Sequence, residues 1–315
     1  MTSTFTISSK RIQFRLCYST KYTIIQGDSG TGKSRLHSLC EQLYNGAVGV
    51  TSNSAKTVIS AAAYMLEHGK PVFMDPEVHG CIVYMDEQEL KGFGSGAYKA
   101  LKESDNFFII ATRSGDGCLP YGVNDVYDLE RNGSVVEMVP HFKNIPLVTA
   151  NTPVTTIICE DSEMGYECVS RILSSYRVLS SRSRTRLLGF AIKYPDSMLF
   201  CDLCGIGAEM GKLLDVRLSD RLPFVFANCV SFEHTVLSNC PMFNGYSAVI
   251  QTDSPVVAET YYTNLLDSAF RKEFGIKYTK GNRSAVERLC LSENGNWIVP
   301  ELELRPKKLQ TLNLD

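Results

Sequence analysis

A chain of 315 residues that is 44% hydrophobic and 21% charged has the make-up of a soluble globular protein and the length for two domains. Its net charge of -2 excludes wholesale electrostatic adhesion to nucleic acid, so any such contact has to come from a local patch. No apolar run reaches the length of about 18 residues that a membrane span needs, and "MTSTFTISSKRIQF" lacks the basic-then-apolar pattern of a signal peptide.

In chain order, residues 4–8 and 11–17 alternate like two short strands, and a third strand, 22–26, runs into a glycine-rich loop. "KSRLHSLCEQLY" follows with helical spacing of Leu36, Leu39, Cys40 and Leu43. A helix is expected over 57–69, stopped by Gly69, and buried strands over 81–85 and 107–113. Apolar strands alternating with helices imply an α/β domain with a largely parallel sheet. "NIPLVTANTPV", with its two prolines, reads as a boundary.

The alternation then restarts. Strands are expected at 155–160, 177–180, 197–202 and 223–228, with helices at 163–175, 184–193 and 207–214 between them. Beyond about 255 the pattern reads as helix, loop and a short strand near Trp297, and the polar end of "ELELRPKKLQTLNLD" is expected to fray. The expected organisation is an α/β domain over 1–150, a smaller α/β domain over 151–252, and an extension over 253–315 that packs on them.

The loop Gly27-Asp28-Ser29-Gly30-Thr31-Gly32-Lys33-Ser34 fits G-x-x-x-x-G-K-[ST] at every position, with a strand before it and a helix after it. Glycines let successive amides turn inward around phosphate oxygens, and the helix N-terminus adds partial positive charge. Lys33 is expected to reach the outer phosphates and Ser34 to ligate Mg²⁺; Arg35, the next residue, is grouped with the loop. The implied ligand is ATP or GTP.

Such a loop needs an acidic partner on a neighbouring strand, and "GCIVYMDEQEL" supplies Asp86 and Glu87. Asp86 suits the Mg²⁺ shell and Glu87 suits polarising the attacking water. A helix cap is the other reading of the same pair. Thr112 and Arg113 end the next apolar strand, where they can sense a terminal phosphate or simply mark a strand end.

Two more acids stand at strand ends, Glu160 in "TTIICEDSEMGYECV" and Asp202 in "SMLFCDLCGIGAEM". In an open parallel sheet the carboxyl ends of strands face the binding crevice. Two carboxylates there can share Mg²⁺ or Mn²⁺ and serve phosphodiester cleavage. The strand-Glu, helix, strand, helix, strand-Asp order resembles a Toprim domain. The glycine loop followed by that order resembles OLD-type (overcoming lysogenisation defect) proteins, in a compact form without an LSGGQ-like signature. The resemblance implies a P-loop NTPase domain followed by a Toprim-like domain, a further metal-site glutamate supplied here by Glu233, and a role in phage defence or a mobile element. The Toprim D-x-D is Asp202-Leu203-Cys204 here, and Asp161 replaces the glycine after the first Glu. Either Glu160, Asp202 and Glu233 suffice for a metal nuclease, or the domain binds without cleaving.

Other signals are softer. The eleven cysteines are scattered and mostly set in apolar runs, which reads as reduced core thiols in a cytoplasm. Cys201-x-x-Cys204 has no matching second pair. Arg171, Arg177, Arg182, Arg184 and Arg186, and "FRKEFGIKYTKGNR" with Phe274, Lys277, Tyr278 and Lys280, could touch nucleic acid phosphates and bases or form solvated faces. The expected protein is an ATP-dependent hydrolase that works with nucleic acid or through a protein partner or a second copy. A nucleotide-dependent switch with a non-cleaving second domain is the alternative.

Overall fold

The computed structural model describes residues 2–28, 30–92, 95–115, 117–149, 151–250, 254–279, 281–292 and 297–298. The chain is mixed α/β and divides into two compact units. The first comprises Met1–Lys143, Cys204–Ala208 and Val249–Tyr261; the second comprises Asn144–Leu203, Glu209–Ala248 and Tyr262–Asp315. Among the described residues no helix is long and apolar enough to cross a membrane.

The first unit runs β1 (Ser3–Ser8), β2 (Gln13–Tyr18), β3 (Tyr22–Gln26), α1 (Lys33–Tyr44), β4 (Thr51–Ser52), β5 (Val58–Ser60) and α2 (Ala61–His68). It continues through β6 (Ile82–Asp86), α3 (Glu87–Lys91), α4 (Ser95–Glu103), β7 (Phe107–Thr112), β8 (Val126–Asn132) and β9 (Val135–Pro140). One nine-stranded sheet has the order β4-β1-β2-β9-β8-β3-β7-β6-β5. The β5, β6, β7, β3 and β8 neighbours are parallel.

Successive residues of the central strands enter opposite cores. Ile25, Ile82, Tyr84, Phe107 and Ile109 pack on one face with Leu36 and Leu39 of α1. Tyr22, Ile24, Val83, Met85, Phe108 and Ile110 pack on the other. A strand buried on both faces has to be apolar at every position, which explains the unbroken hydrophobic runs.

The sheet is less parallel than expected: β1 pairs antiparallel with β2 and β4, and β8 with β9. The β8–β9 hairpin turns at Asn132-Gly133-Ser134, with Gly133 at φ 62°. Short connections of this kind can join only antiparallel strands. The helix expected over 57–69 is split. Val58 and Ile59 extend as β5, and the Ser60 side chain then caps α2 by accepting from the Ala63 amide at 3.4 Å. β-Branched residues ahead of a capping serine favour that division.

In the second unit β10 (Thr156–Cys159), α5 (Met164–Ile172), β11 (Arg177–Ser180), α6 (Leu187–Lys193), β12 (Ser197–Phe200), α7 (Gly207–Ser219), β13 (Val225–Phe226) and α8 (Phe232–Asn239) follow in order. The four strands form a parallel sheet, β11-β10-β12-β13. α9 (Ala258–Phe274) and α10 (Arg283–Leu291) follow. From Tyr262 onward the described residues join the second unit, and Phe270, Tyr278, Leu289 and Trp297 enter its core. Near Trp297 there is a 3₁₀ turn where a strand was expected; the indole Nε1 donates to the Leu289 carbonyl at 3.0 Å.

Candidate functional site

The first candidate site grows from strand register. β7 lies between β3 and β6, and Gln26 is level with Thr112 while Asp86 is level with Ala111. The strands are parallel, so the glycine loop, the Asp86-Glu87 pair and the Thr112-Arg113 pair all leave the sheet at one edge. They line one cavity of about 340 Å³, at the lower end of the range for small-molecule sites.

Gly27, Gly30 and Gly32 have φ of 144°, 91° and 104°, values that L side chains rarely adopt. The loop after β3 therefore needs glycines to reverse direction before α1. Asp28, Gly30, Thr31, Gly32, Lys33, Ser34 and Arg35 all face the cavity; Ser29 lies outside the described residues. The Lys33 ammonium donates to the Gly27 carbonyl, to the Asp28 carbonyl at 2.8 Å and to Thr31 Oγ1 at 3.2 Å. Burial and the nearby Arg113 charge lower the Lys33 pKa, against the opposing pull of Asp28, Glu87 and Asp86. The Tyr84 hydroxyl donates to the Lys33 carbonyl at 3.3 Å and so ties the start of α1 to β6; the sequence pattern marked Tyr84 only as core.

Asp86 both faces the cavity and caps α3. Its Oδ1 accepts from the Gln88 amide at 3.0 Å, and Glu89 Oε2 accepts from the Asp86 amide at 3.0 Å. The cap holds the carboxylate at the end of β6, on the cavity that Ser34 also lines. Glu87 Oε2 accepts from Thr112 Oγ1 at 3.0 Å and from the Arg113 amide at 2.8 Å. The Arg113 side chain is exposed. The cradle of positive-φ glycines, one ammonium and the hard oxygens of Ser34 and Asp86 fit a triphosphate with Mg²⁺.

The second candidate site lies within the second unit. Glu160, Asp202 and Glu233 line one small cavity of about 30 Å³ with Asp161, Met164 and Gly165, room for a water or an ion. β10 and β12 end at Cys159 and Phe200, so Glu160 and Asp202 stand just past adjacent strand ends.

Each carboxylate is engaged. Glu160 Oε2 accepts from the Asp202 amide at 3.1 Å, and Asp202 Oδ1 accepts from the Phe232 amide at 2.9 Å. Glu233 Oε1 accepts from the Tyr278 hydroxyl at 3.1 Å. Asp161 accepts from the Gly165 amide at 3.2 Å and the Tyr166 amide at 2.9 Å. Among the described residues no three His, Cys, Asp or Glu side chains are grouped to hold a metal ion. Glu160, Asp202 and Glu233 nevertheless share the one cavity.

The softer signals are largely structural. Tyr278 is 3% exposed and packs on Phe270, so it is not a surface contact for nucleic acid. Phe274 is partly buried under the Arg288 guanidinium, and Lys280 lies outside the described residues. Arg177 stacks over Tyr194 and Arg171 pairs with Glu167; Arg182 and Arg186 are exposed. None of the eleven cysteines, all among the described residues, is in a disulfide, and burial pushes the Cys201 thiol well up. Comparison with protein families, with characterised proteins and with solved structures gave no match.

Proposed function

We propose that the chain binds and hydrolyses ATP with Mg²⁺ in its first unit, and that nucleotide state governs the second. One observation carries this reading: three strand ends converge so that the glycine loop, Asp86-Glu87 and Thr112-Arg113 line a single cavity. In it Lys33 meets the outer phosphates, and Ser34 and Asp86 hold Mg²⁺, which when bound neutralises phosphate charge. Glu87 orients and polarises water. Turnover is slow unless a partner protein or a second copy completes the site.

Titration calorimetry with MgATP and MgGTP tests the binding. Losing a charge-assisted contact costs about 1.5–3 kcal/mol, so Lys33→Ala is expected to weaken binding by about 10- to 100-fold. Equal affinity in the two proteins would sink the reading.

For the second unit, the resemblance to OLD-type P-loop–Toprim proteins supports a metal-dependent nuclease, and the shared cavity of Glu160, Asp202 and Glu233 fits that placement. The switch without cleavage is favoured by a different observation: those carboxylates already accept from Asp202, Phe232 and Tyr278. Plasmid, single-stranded DNA and RNA incubated with Mg²⁺ or Mn²⁺, with and without ATP, separate the two. Cleavage that vanishes in Glu160→Ala supports the nuclease. No cleavage alongside retained ATP binding supports the switch and directs the search to a partner protein.

A further inference from the structure

Cys290 packs against the core that holds Cys168, and each thiol perturbs the titration of the other. Cys168 is on α5 and Cys290 on α10, helices that pack with Cα atoms within 8 Å of one another. Cys168 is fully buried in the core of the second unit, and Cys290 is half-buried at its edge. Cys290 is thus the more accessible of the two residues. We propose that Cys290 and Cys168 are a peroxide-oxidisable pair whose disulfide fastens α10 to α5.

The surroundings separate the roles of the two sulfurs. The neighbouring Cys168 thiol and the Arg171 charge lower the Cys290 pKa, against burial and Glu167. The Cys290 thiol, followed by burial, raises that of Cys168. Cys290 is then the nucleophile and Cys168 the resolving thiol, the arrangement that thiolate reactivity favours. Elsewhere burial pushes the Cys40, Cys159 and Cys201 thiols up, and they remain thiols.

The oxidant is hydrogen peroxide or an alkyl hydroperoxide. The Cys290 thiolate attacks a peroxide oxygen, the O–O bond breaks, and the leaving oxygen takes a proton to give water or alcohol. Cys290 is left as the sulfenic acid. Cys168 sulfur then attacks Cys290 sulfur, the S–O bond breaks, and water departs with the Cys168 proton. Two thiols are oxidised by two electrons and one peroxide is reduced. The bond would anchor α5, whose first turn supplies Met164 and Gly165 to the acidic cavity.

The full-length protein is treated with hydrogen peroxide, alkylated and digested with trypsin and Glu-C, which release residues 168–171 and 289–293 as separate peptides. The expected product is those two peptides joined, with an intact mass lower by two hydrogens and reversal by dithiothreitol. The oxidised protein is expected to melt higher than the reduced one. Cys290→Ser, at a half-exposed position, is expected to lose the crosslink and the melting shift together. Cys168→Ser is expected to trap a dimedone-reactive sulfenic acid at Cys290; the wild-type peptide map stands without it if that variant fails to fold. Both thiols recovered intact, Cys290 over-oxidised beside an unmodified Cys168, or a crosslink to any other cysteine would overturn the proposal.

Discussion

Glu87 and Thr112 are joined across the edge of the nine-stranded sheet, hydroxyl to Oε2 at 3.0 Å, and the Arg113 amide meets the same oxygen at 2.8 Å. The acid after β6 is therefore fixed by the strand that separates β6 from the glycine loop. A carboxylate held by two donors keeps one direction, which a group that orients water requires. The same bonds make Glu87 a brace between two strand ends, so its chemical and its structural contributions need separate variants.

Glu87→Gln keeps the size and an acceptor for Thr112 but loses the charge. ATP hydrolysis is expected to fall by about 100-fold or more, the lower range for a lost general base, with MgATP affinity within a few-fold of wild type. Glu87→Ala removes the brace as well and is expected to lose stability by about 1.5–3 kcal/mol, the worth of hydrogen bonds to a charged group. Phosphate release, calorimetry and urea unfolding check the three quantities. Wild-type hydrolysis in Glu87→Gln would leave Glu87 as a brace alone.

The central strands were legible because burial on both faces forces apolar residues in succession, as in Phe107–Ala111. The hairpin carrying Gly133 was missed despite its Asn-Gly signal, because Glu130, Arg131 and Asn132 are exposed and break the alternation. The ends of β10 and β12 brought Glu160 and Asp202 together as expected from their place after apolar runs. What each carboxylate touches was not legible. Glu233 meets Tyr278 from 45 residues away, and a contact of that range is set by how α9 folds back, not by any local pattern.

Asp125 gives the fold a pH dependence of known sign. It is 5% exposed and accepts from the Gly122 amide at 2.8 Å, Thr20 Oγ1 at 2.9 Å and Ser19 Oγ at 3.3 Å. Burial outweighs these donors and raises its pKa from 3.8 to about 6. Between those values the unfolded chain has released the proton and the folded chain still holds it. Stability from this group therefore falls as pH rises from about 4 to about 6, by about 3 kcal/mol in all. Asp125→Asn keeps an acceptor, and the two hydroxyls can rotate to suit it. The stability of the variant relative to wild type, from urea unfolding at several pH values, is expected to climb through that window and level off above it. A flat difference would place the Asp125 pKa near that of an exposed carboxylate.

Tyr278 lies where an expected nucleic-acid contact and an observed core contact diverge. Its hydroxyl donates to Glu233 Oε1 at 3.1 Å, and the two residues are 3% and 1% exposed. Burial, reinforced by the Glu233 charge, raises the tyrosine pKa well above its ordinary value, so the hydroxyl stays a donor throughout the neutral range. Tyr278→Phe removes that donor from a buried carboxylate and is expected to cost about 1–3 kcal/mol. In the Tyr278→Phe background, Glu233→Gln removes a charge that is costly to bury without its donor. It is expected to be less harmful there than in wild type, a coupling that a double-mutant cycle reads directly. A surface contact for nucleic acid predicts the opposite pattern. Tyr278→Phe would then unfold like wild type, bind single-stranded DNA or RNA more weakly, and show no coupling to Glu233.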